Sequence, residues 1–368
     1  MRASLGIICI GFPSAYCGDP AASMPENIKA YLDKGEGIAE AEFSKFPPTS
    51  TPTHSSADSS EHEWFVVYCA WLCAAFRLAG DFTREQIHNV FPERGRLNLT
   101  RYPLVSVTVA PHAPYTVGSE GMTLAKAVSD KLGLPLHIHL HESETECSDW
   151  EGSNKERPVA TMKRLGLINE KLVAVHMTQM TPEEINVFAE AKASIIHCPE
   201  SNMKLASGTC PVSELLAAGI NVGLGTDGCA SNNDLDMYGE MRSAAFLAKL
   251  SSKDPTSVPA QQALHMATMG SAKALGIDDA VGSLVVGKQA DIQAVDLSGI
   301  ESAPLYSVIS HLVYCTSRTQ VTDVWVAGKQ LVQARRLTTL DEEGILAKAR
   351  EWATKAKQHA TVPPVAAA

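Results

Sequence analysis

From Leu104 to Leu250 the chain alternates short apolar runs, each ending in polar residues, with longer segments whose apolar positions recur at helical spacing. LVSVTVAPHAPY (104–115) leads into MTLAKAVSDKLG, and PLHIHLHESE (135–144) leads, after a loop, into PVATMKRLG. LVAVHM (172–177) precedes TPEEINVFAEAK, where Thr181 has the chemistry of an N-cap and Pro182 that of a first-turn residue. SIIHCPESN precedes VSELLAAG, NVGLGTDG precedes LDMYGEMRSAAFLAKL, and LGIICIGFP at the start of the chain adds a sixth strand-like run. Strands alternating with helices predict an α/β fold with a parallel sheet. Short strands that each finish in a polar loop predict a (β/α) TIM-type barrel, whose chemistry gathers at the strand C-terminal ends.

Two regions break this rhythm. Residues 44–63, SKFPPTSTPTHSSADSSEHE, have the composition of a flexible, partly disordered insertion, which is placed at about 44–101. After Leu275 the pattern turns to β in VGSLVVGKQADIQAVDL and TQVTDVWVAGKQLV, the second with a Gly-Lys turn. The expected organisation is a barrel over 1–275, a small β-sandwich lobe over 276–340, and a helix (DEEGILAKAREWATKAKQ) with a frayed tail over 341–368. WFVVYCAWLCAAF (64–76) is the most apolar stretch, but it is shorter than the roughly 20 residues of a membrane span, so a buried helix is expected.

Composition narrows the classes. The 368 residues are 45% hydrophobic and 20% charged, ordinary for a soluble globular protein. A net charge of −10 without a basic stripe argues against a nucleic-acid partner. The nine scattered cysteines read as reduced thiols of a cytoplasmic protein, and Cys69 and Cys73, four apart, read as helix residues rather than half of a zinc site. MRASLGIICIGFP has no signal-peptide pattern and reads as a strand from inside a domain.

The polar residues that close the apolar runs carry the chemistry. His112, His139 with Glu142, His176, His197 and Asp227 follow five consecutive strands, so in a barrel they would meet at one mouth. In HIHLHESE the alternation of a strand puts His137, His139 and His141 on one face. Neutral imidazole suits zinc and similar ions, and for His137 and His141 ligation stands level with simple packing and hydrogen bonding.

The motifs APHAPY (110–115), HLHE (139–142), VHMTQ (175–179), HCPESNMKLASG (197–208) and GLGTDGCASNNDLDMYGEMR (223–242), with the later VGSLVVGKQADIQAVDL, cover most of 102–335. The chain resembles the amidohydrolase superfamily, and within it the methylthioadenosine/S-adenosylhomocysteine deaminases and atrazine-type chlorohydrolases. The resemblance implies one divalent ion, zinc or iron, with His139 and Asp227 as ligands. It implies that Glu142 shuttles a proton and also meets substrate, that His176 orients the attacking water or touches the metal, that Asp227 acts as base, and that His112 contacts substrate. The implied reaction is water attack on a ring C–N carbon of a small aminopurine or related heterocycle, with release of ammonia.

The family's first strand carries a His-x-His pair, and no such pair occurs here before residue 137; the first histidine is His54. Met1–Pro13 resembles the family's third strand, so the expectation is a barrel lacking its first two strands, whose sheet edges could support a homo-oligomer. Three readings follow: a deaminase whose sequence begins upstream of Met1, a silent shortened paralogue that binds a partner, or a hydrolase with His137 or His141 as substitute ligands. Chloride displacement from a triazine is the alternative chemistry.

Overall fold

The structure, a computed structural model, describes residues 3–9 and 105–359. The insertion expected at 44–101, the helix expected at 64–76, His54, Cys69, Cys73 and the tail after His359 lie outside the described residues.

Six strands form one parallel sheet whose spatial order follows the chain: β1 (Ala3–Cys9), β2 (Val105–Pro111), β3 (Leu136–Leu140), β4 (Leu172–His176), β5 (Ser194–His197) and β6 (Asn221–Leu224). β1 pairs with β2 from Ala3 opposite Val105 to Cys9 opposite Pro111. A parallel neighbour needs a crossover, and from β2 onward helices supply it. α1 (Pro114–Leu132) joins β2 to β3, α2 (Glu144–Asn154) and α3 (Pro158–Arg164) join β3 to β4, and α4 (Pro182–Ala191) joins β4 to β5. α5 (Pro199–Lys204) and α6 (Val212–Ala217) lead to β6. α7 (Met237–Ser252), α8 (Ala260–His265), a π-helical turn (Met266–Gly270) and α9 (Ser271–Ala274) follow. The α/β class with a parallel sheet is present as expected.

Local chemistry explains these boundaries. Thr181 caps α4 by accepting the Glu184 N–H, Glu184 returns a bond to the Thr181 N–H, and Pro182 occupies the first turn, where its missing donor costs nothing. Every residue of β4 and β5 is buried, so their apolar runs are continuous rather than alternating, as a strand covered on both faces requires. Phe188, Ile138, Leu140, Ile195, Leu215 and Met266 are fully buried.

Among the described residues β1 and β6 are the two ends of the sheet. At β6 the backbone is bonded by the turn that follows α8: Ser271 Oγ accepts from the Leu224 N–H at 3.0 Å, and Asn221 Nδ2 donates to the Gly270 carbonyl at 3.0 Å. Gly270 is required there, because a Cβ would collide with the Val222 carbonyl oxygen. This packing fixes β6 and thereby the start of the loop that carries Asp227.

The chain divides into two units by contacts. The first holds the parallel sheet up to Lys288 together with Leu297–Arg318; the second is Gln289–Asp296 with Thr319 onward. The boundary drawn at 275 from sequence therefore differs from the contact division. Lys288 Nζ donates to the Val281 carbonyl, Arg242 Nη2 donates to the Thr316 carbonyl, and Phe246 stacks on Tyr314 of α10 (Val308–Tyr314), so these segments stay with the first unit. In the second unit β7 (Ile292–Val295), β8 (Val321–Val326), β9 (Lys329–Gln333) and β10 (Arg336–Leu337) form one antiparallel sheet in the order β10-β9-β8-β7, a single layer among the described residues where a sandwich was expected. The β8–β9 hairpin turns at Ala327-Gly328, both with positive φ, and α11 (Glu342–His359) belongs to this unit. Among the described residues no helix is long and apolar enough to cross a membrane.

Candidate active site

The polar residues that close β2, β3, β4 and β6 come together. The His112 and His139 rings lie 5.0 Å apart, and those of His139 and His176 lie 5.4 Å apart. One ligand atom each from His139, His176 and Asp227 falls within 4.8 Å of the other two. His176 Nε2 stands 3.9 Å from Glu142 Oε1 and 3.9 Å from Asp227 Oδ2.

Strand alternation alone does not give this arrangement. Register pairs His139 with Val175 and Leu140 with His176, so a regular β4 would send His176 to the face opposite His139. His176 instead has φ 75° and Met177 φ 50°, a left-handed exit that swings the imidazole back toward His139. Asp227 is also left-handed, at φ 62°. Such positions cost energy and persist only where surrounding bonds hold them, a pattern that favours functional sites.

Those bonds also orient each side chain. His139 Nδ1 lies 2.8 Å from the His112 carbonyl, so Nδ1 donates and Nε2 keeps its lone pair. His176 Nδ1 lies 2.8 Å from Asn202 Oδ1. Asp227 Oδ2 accepts from Ser201 Oγ (2.7 Å) and Ser231 Oγ (2.6 Å), while Oδ1 accepts from the Gly228 N–H (2.7 Å). Burial alone would raise the Asp227 pKa; the two serine hydroxyls, His176 and the Gly228 N–H outweigh it and hold the carboxyl below its ordinary value. Glu142 is fixed through its backbone, with its N–H donating to Glu146 Oε2 (2.7 Å) and its carbonyl accepting from Thr178 Oγ1 (2.8 Å). Burial, then His139, pushes His112 down to about 4, so it is neutral at pH 7.

The amidohydrolase family model matches residues 75–331. The chain belongs to the amidohydrolase family. Its relatives include proteins named 5-methylthioadenosine/S-adenosylhomocysteine deaminase from Teredinibacter turnerae, 45% identical over 257 residues (69% of this chain, 58% of the relative), and from Moorella thermoacetica, 45% identical over 244 residues (66% and 57%). This amidohydrolase thus spans less than two thirds of the curated relatives it matches. Solved structures similar to it include an adenosine deaminase from Xanthomonas campestris with bound zinc (38% identity, TM-score 0.73, covering 97% of this chain and 66% of that one). Atrazine chlorohydrolase TrzN from Arthrobacter aurescens TC1, complexed with zinc, is 25% identical with a TM-score of 0.65, covering 76% of this chain and 59% of that one.

Within this amidohydrolase the expected site residues do not all converge. His141 leaves the shared face of HIHLHESE because its own φ is 50°. Its Nε2 accepts from the Val159 N–H (3.4 Å) and its Nδ1 lies 3.7 Å from Glu184 Oε2, while Arg157 Nε donates to Oε1 of the same carboxylate at 2.8 Å. It is a packing and hydrogen-bonding residue. His137 is not in the ligand group either; burial, then His139, pushes its pKa to about 4. His197, one of the five strand-end residues, is buried, its ring nitrogens have no hydrogen-bond partner among the described residues, and it stands outside the group. Ser201, Asn202, Ser231 and Glu146 were missed by sequence reasoning. The first two lie inside the motif HCPESN, and Ser231 follows Asp227 by four residues.

Beside the site, Glu240 on α7 is buried, and among the described residues no Lys or Arg pairs with it. Its Oε1 accepts from Asn232 Nδ2 (2.5 Å) and its Oε2 from the Glu200 N–H (3.2 Å), and burial pushes its pKa up to about 8. Because the folded-state value lies above the unfolded 4.5, its contribution to stability is full below pH 4.5 and is lost as pH rises through 8. Thermal melts should show Glu240→Gln gaining on the wild type between pH 5 and pH 9, by on the order of 4 kcal/mol. A gap that does not change with pH would show that Glu240 titrates normally.

Proposed function

We propose that this chain is built for metal-assisted hydrolytic deamination of an aminopurine-type ring. The observation that carries the reading is the meeting of His139, His176 and Asp227 within 4.8 Å, with the Glu142 carboxylate beside His176. The donor set fits a divalent cation: two imidazoles, His139 with its lone pair freed on Nε2, and one carboxylate held below its ordinary pKa. His139 and Asp227 would hold the ion, with His176 in reach as a third ligand. Zinc is the first choice and iron the second, by analogy with the zinc-bound relatives. When bound, the ion supplies positive charge that makes a nearby water acidic near neutral pH.

The residues then divide the work. Asp227 accepts the proton of the attacking water, and Glu142 delivers a proton to the ring nitrogen next to the carbon under attack. Oxygen bonds to that carbon, the exocyclic C–N bond breaks, and ammonia leaves with the protons passed through Glu142 and Asp227. His112, neutral and at the rim of the cluster, contacts the substrate. We also read the six-stranded sheet as part of a (β/α) barrel with these residues at its mouth, and the reduced thiols of Cys147, Cys198, Cys210, Cys229 and Cys315 as support for a cytoplasmic setting.

The test offers adenosine, methylthioadenosine and S-adenosylhomocysteine to the purified full chain and follows ammonia and metal content together. The expected result is ammonia matched by an inosine-type product, with about one divalent ion per chain, lost on chelation and restored by zinc. Chloride release from a triazine with no ammonia from any nucleoside would favour the chlorohydrolase reading. Metal content far below one ion per chain with no turnover of either class would leave a binding protein.

A further inference from the structure

Asn202 sits on α5, in the segment between β5 and β6, and is 1% exposed. Its Oδ1 lies 2.8 Å from His176 Nδ1. Its Nδ2 is buried and has no hydrogen-bond partner among the described residues. A buried amide that satisfies one atom and strands the other is a poor packing choice, since a leucine of similar size would strand none. What the side chain does accomplish lies at Oδ1. An amide oxygen can only accept, so its neighbour Nδ1 must carry the proton, and the lone pair of the neutral imidazole is then on Nε2. That atom faces Glu142 Oε1 and Asp227 Oδ2, each at 3.9 Å, inside the group of converging ligand atoms.

We propose that Asn202 is a positioning residue that fixes His176 as the Nδ1–H tautomer and thereby makes its Nε2 a ligand for the cation. The inference rests on the metal reading given above but concerns a step the carboxylates would otherwise decide the other way. Two carboxylates facing Nε2 favour a proton on Nε2, which would convert the ring from ligand to donor. Asn202 opposes that preference from the far side of the ring. It acts on His176 as the His112 carbonyl acts on His139, through Nδ1 in both cases. The two imidazoles of the cluster are therefore set to the same tautomer by two groups on different segments, a backbone carbonyl after β2 and a side chain after β5.

The experiment reads the tautomer directly. Long-range proton–nitrogen-15 spectra of the metal-free full chain are recorded at pH 7, with the His176 signals assigned from the His176→Gln variant. The expected wild-type pattern is a protonated Nδ1 and an unprotonated Nε2. Asn202→Leu should shift His176 toward the Nε2–H form, and Asn202→Asp, which keeps the acceptor, should hold the Nδ1–H form. Zinc affinity by competition with a chelating dye should follow, falling about 10- to 100-fold in Asn202→Leu and staying near wild type in Asn202→Asp. A wild-type spectrum showing Nε2–H, the pattern that the reverse orientation of the Asn202 amide would impose, overturns the proposal and needs no variant to fold. An unchanged tautomer in Asn202→Leu overturns it as well. Absence of zinc binding by the wild type, with the tautomers as expected, would count against the metal reading and leave the positioning of His176 by Asn202 standing.

Discussion

Replacing Asp227 with asparagine is expected to lower ammonia release by about 10³-fold or more, because the loss removes both a metal ligand and the base that receives the water proton. Asparagine is the informative choice at this position. The residue is left-handed, a conformation that asparagine tolerates as aspartate does, so the substitution adds no backbone strain. Its amide oxygen can still accept from the Gly228 N–H, and the Ser201 and Ser231 hydroxyls can rotate to accept from its amide nitrogen. The melting temperature should therefore move by only a few degrees, corresponding to about 1 kcal/mol. Kinetics, zinc titration and a thermal melt on the same sample would separate chemistry from folding. Unchanged turnover in Asp227→Asn would remove Asp227 from the mechanism, and with it the assignment of the other roles.

Glu142→Gln should separate proton transfer from metal retention. Turnover is expected to fall by about 10²- to 10⁴-fold while zinc content stays at the wild-type level. The reason is structural. Glu142 is outside the group of ligand atoms, and its backbone is held by Glu146 and Thr178 rather than by its own carboxylate. Removing the negative charge therefore takes away the proton carrier without releasing the loop. Parallel loss of zinc and turnover would make Glu142 a structural residue instead. The Glu146 carboxylate accepts the N–H groups of both His141 and Glu142, and burial lifts its pKa to about 7, so this loop is anchored by a group near its own titration point.

Much of this architecture was legible in the sequence. LVAVHM reads as a covered strand and NVGLGTDG as a short strand ending in polar residues, and each is followed by a segment with helical spacing. Thr181-Pro182 announced the start of α4, and the structure has that cap, with Glu184 closing a capping box that the reading had not included. The same reading placed His112, His139, Glu142, His176 and Asp227 at strand exits, and the structure brings them together. It failed where it extended a strand rule past the end of a strand. His141 was put on the face of His139 by alternation, but the chain turns at that residue and carries its ring to Arg157 and Glu184. His197 was counted with the others because it too closes a strand, yet it is buried outside the ligand group, and its ring has no hydrogen-bond partner among the described residues. The serines and the asparagine that hold Asp227 and His176 carry no signal of their own, since Ser and Asn are common in any loop after a strand.

The amino-acid order by itself determined the parallel α/β class and which residue types arrive at the ends of β2, β3, β4 and β6, and its motifs carried the likeness to the family. These are local properties: a buried strand must be apolar, a crossover helix must be amphipathic, and a polar group is tolerated where the strand stops. Only the tertiary structure decided which of those polar groups share a space and which nitrogen of each imidazole carries a proton. Past the last paired residue of a strand the side-chain direction is set by one or two backbone angles, and neighbouring elements impose those angles through bonds such as Thr178 to Glu142 and Ser201 to Asp227. A histidine's proton likewise follows its nearest acceptor, here the His112 carbonyl and the Asn202 amide, 27 and 26 residues away along the chain.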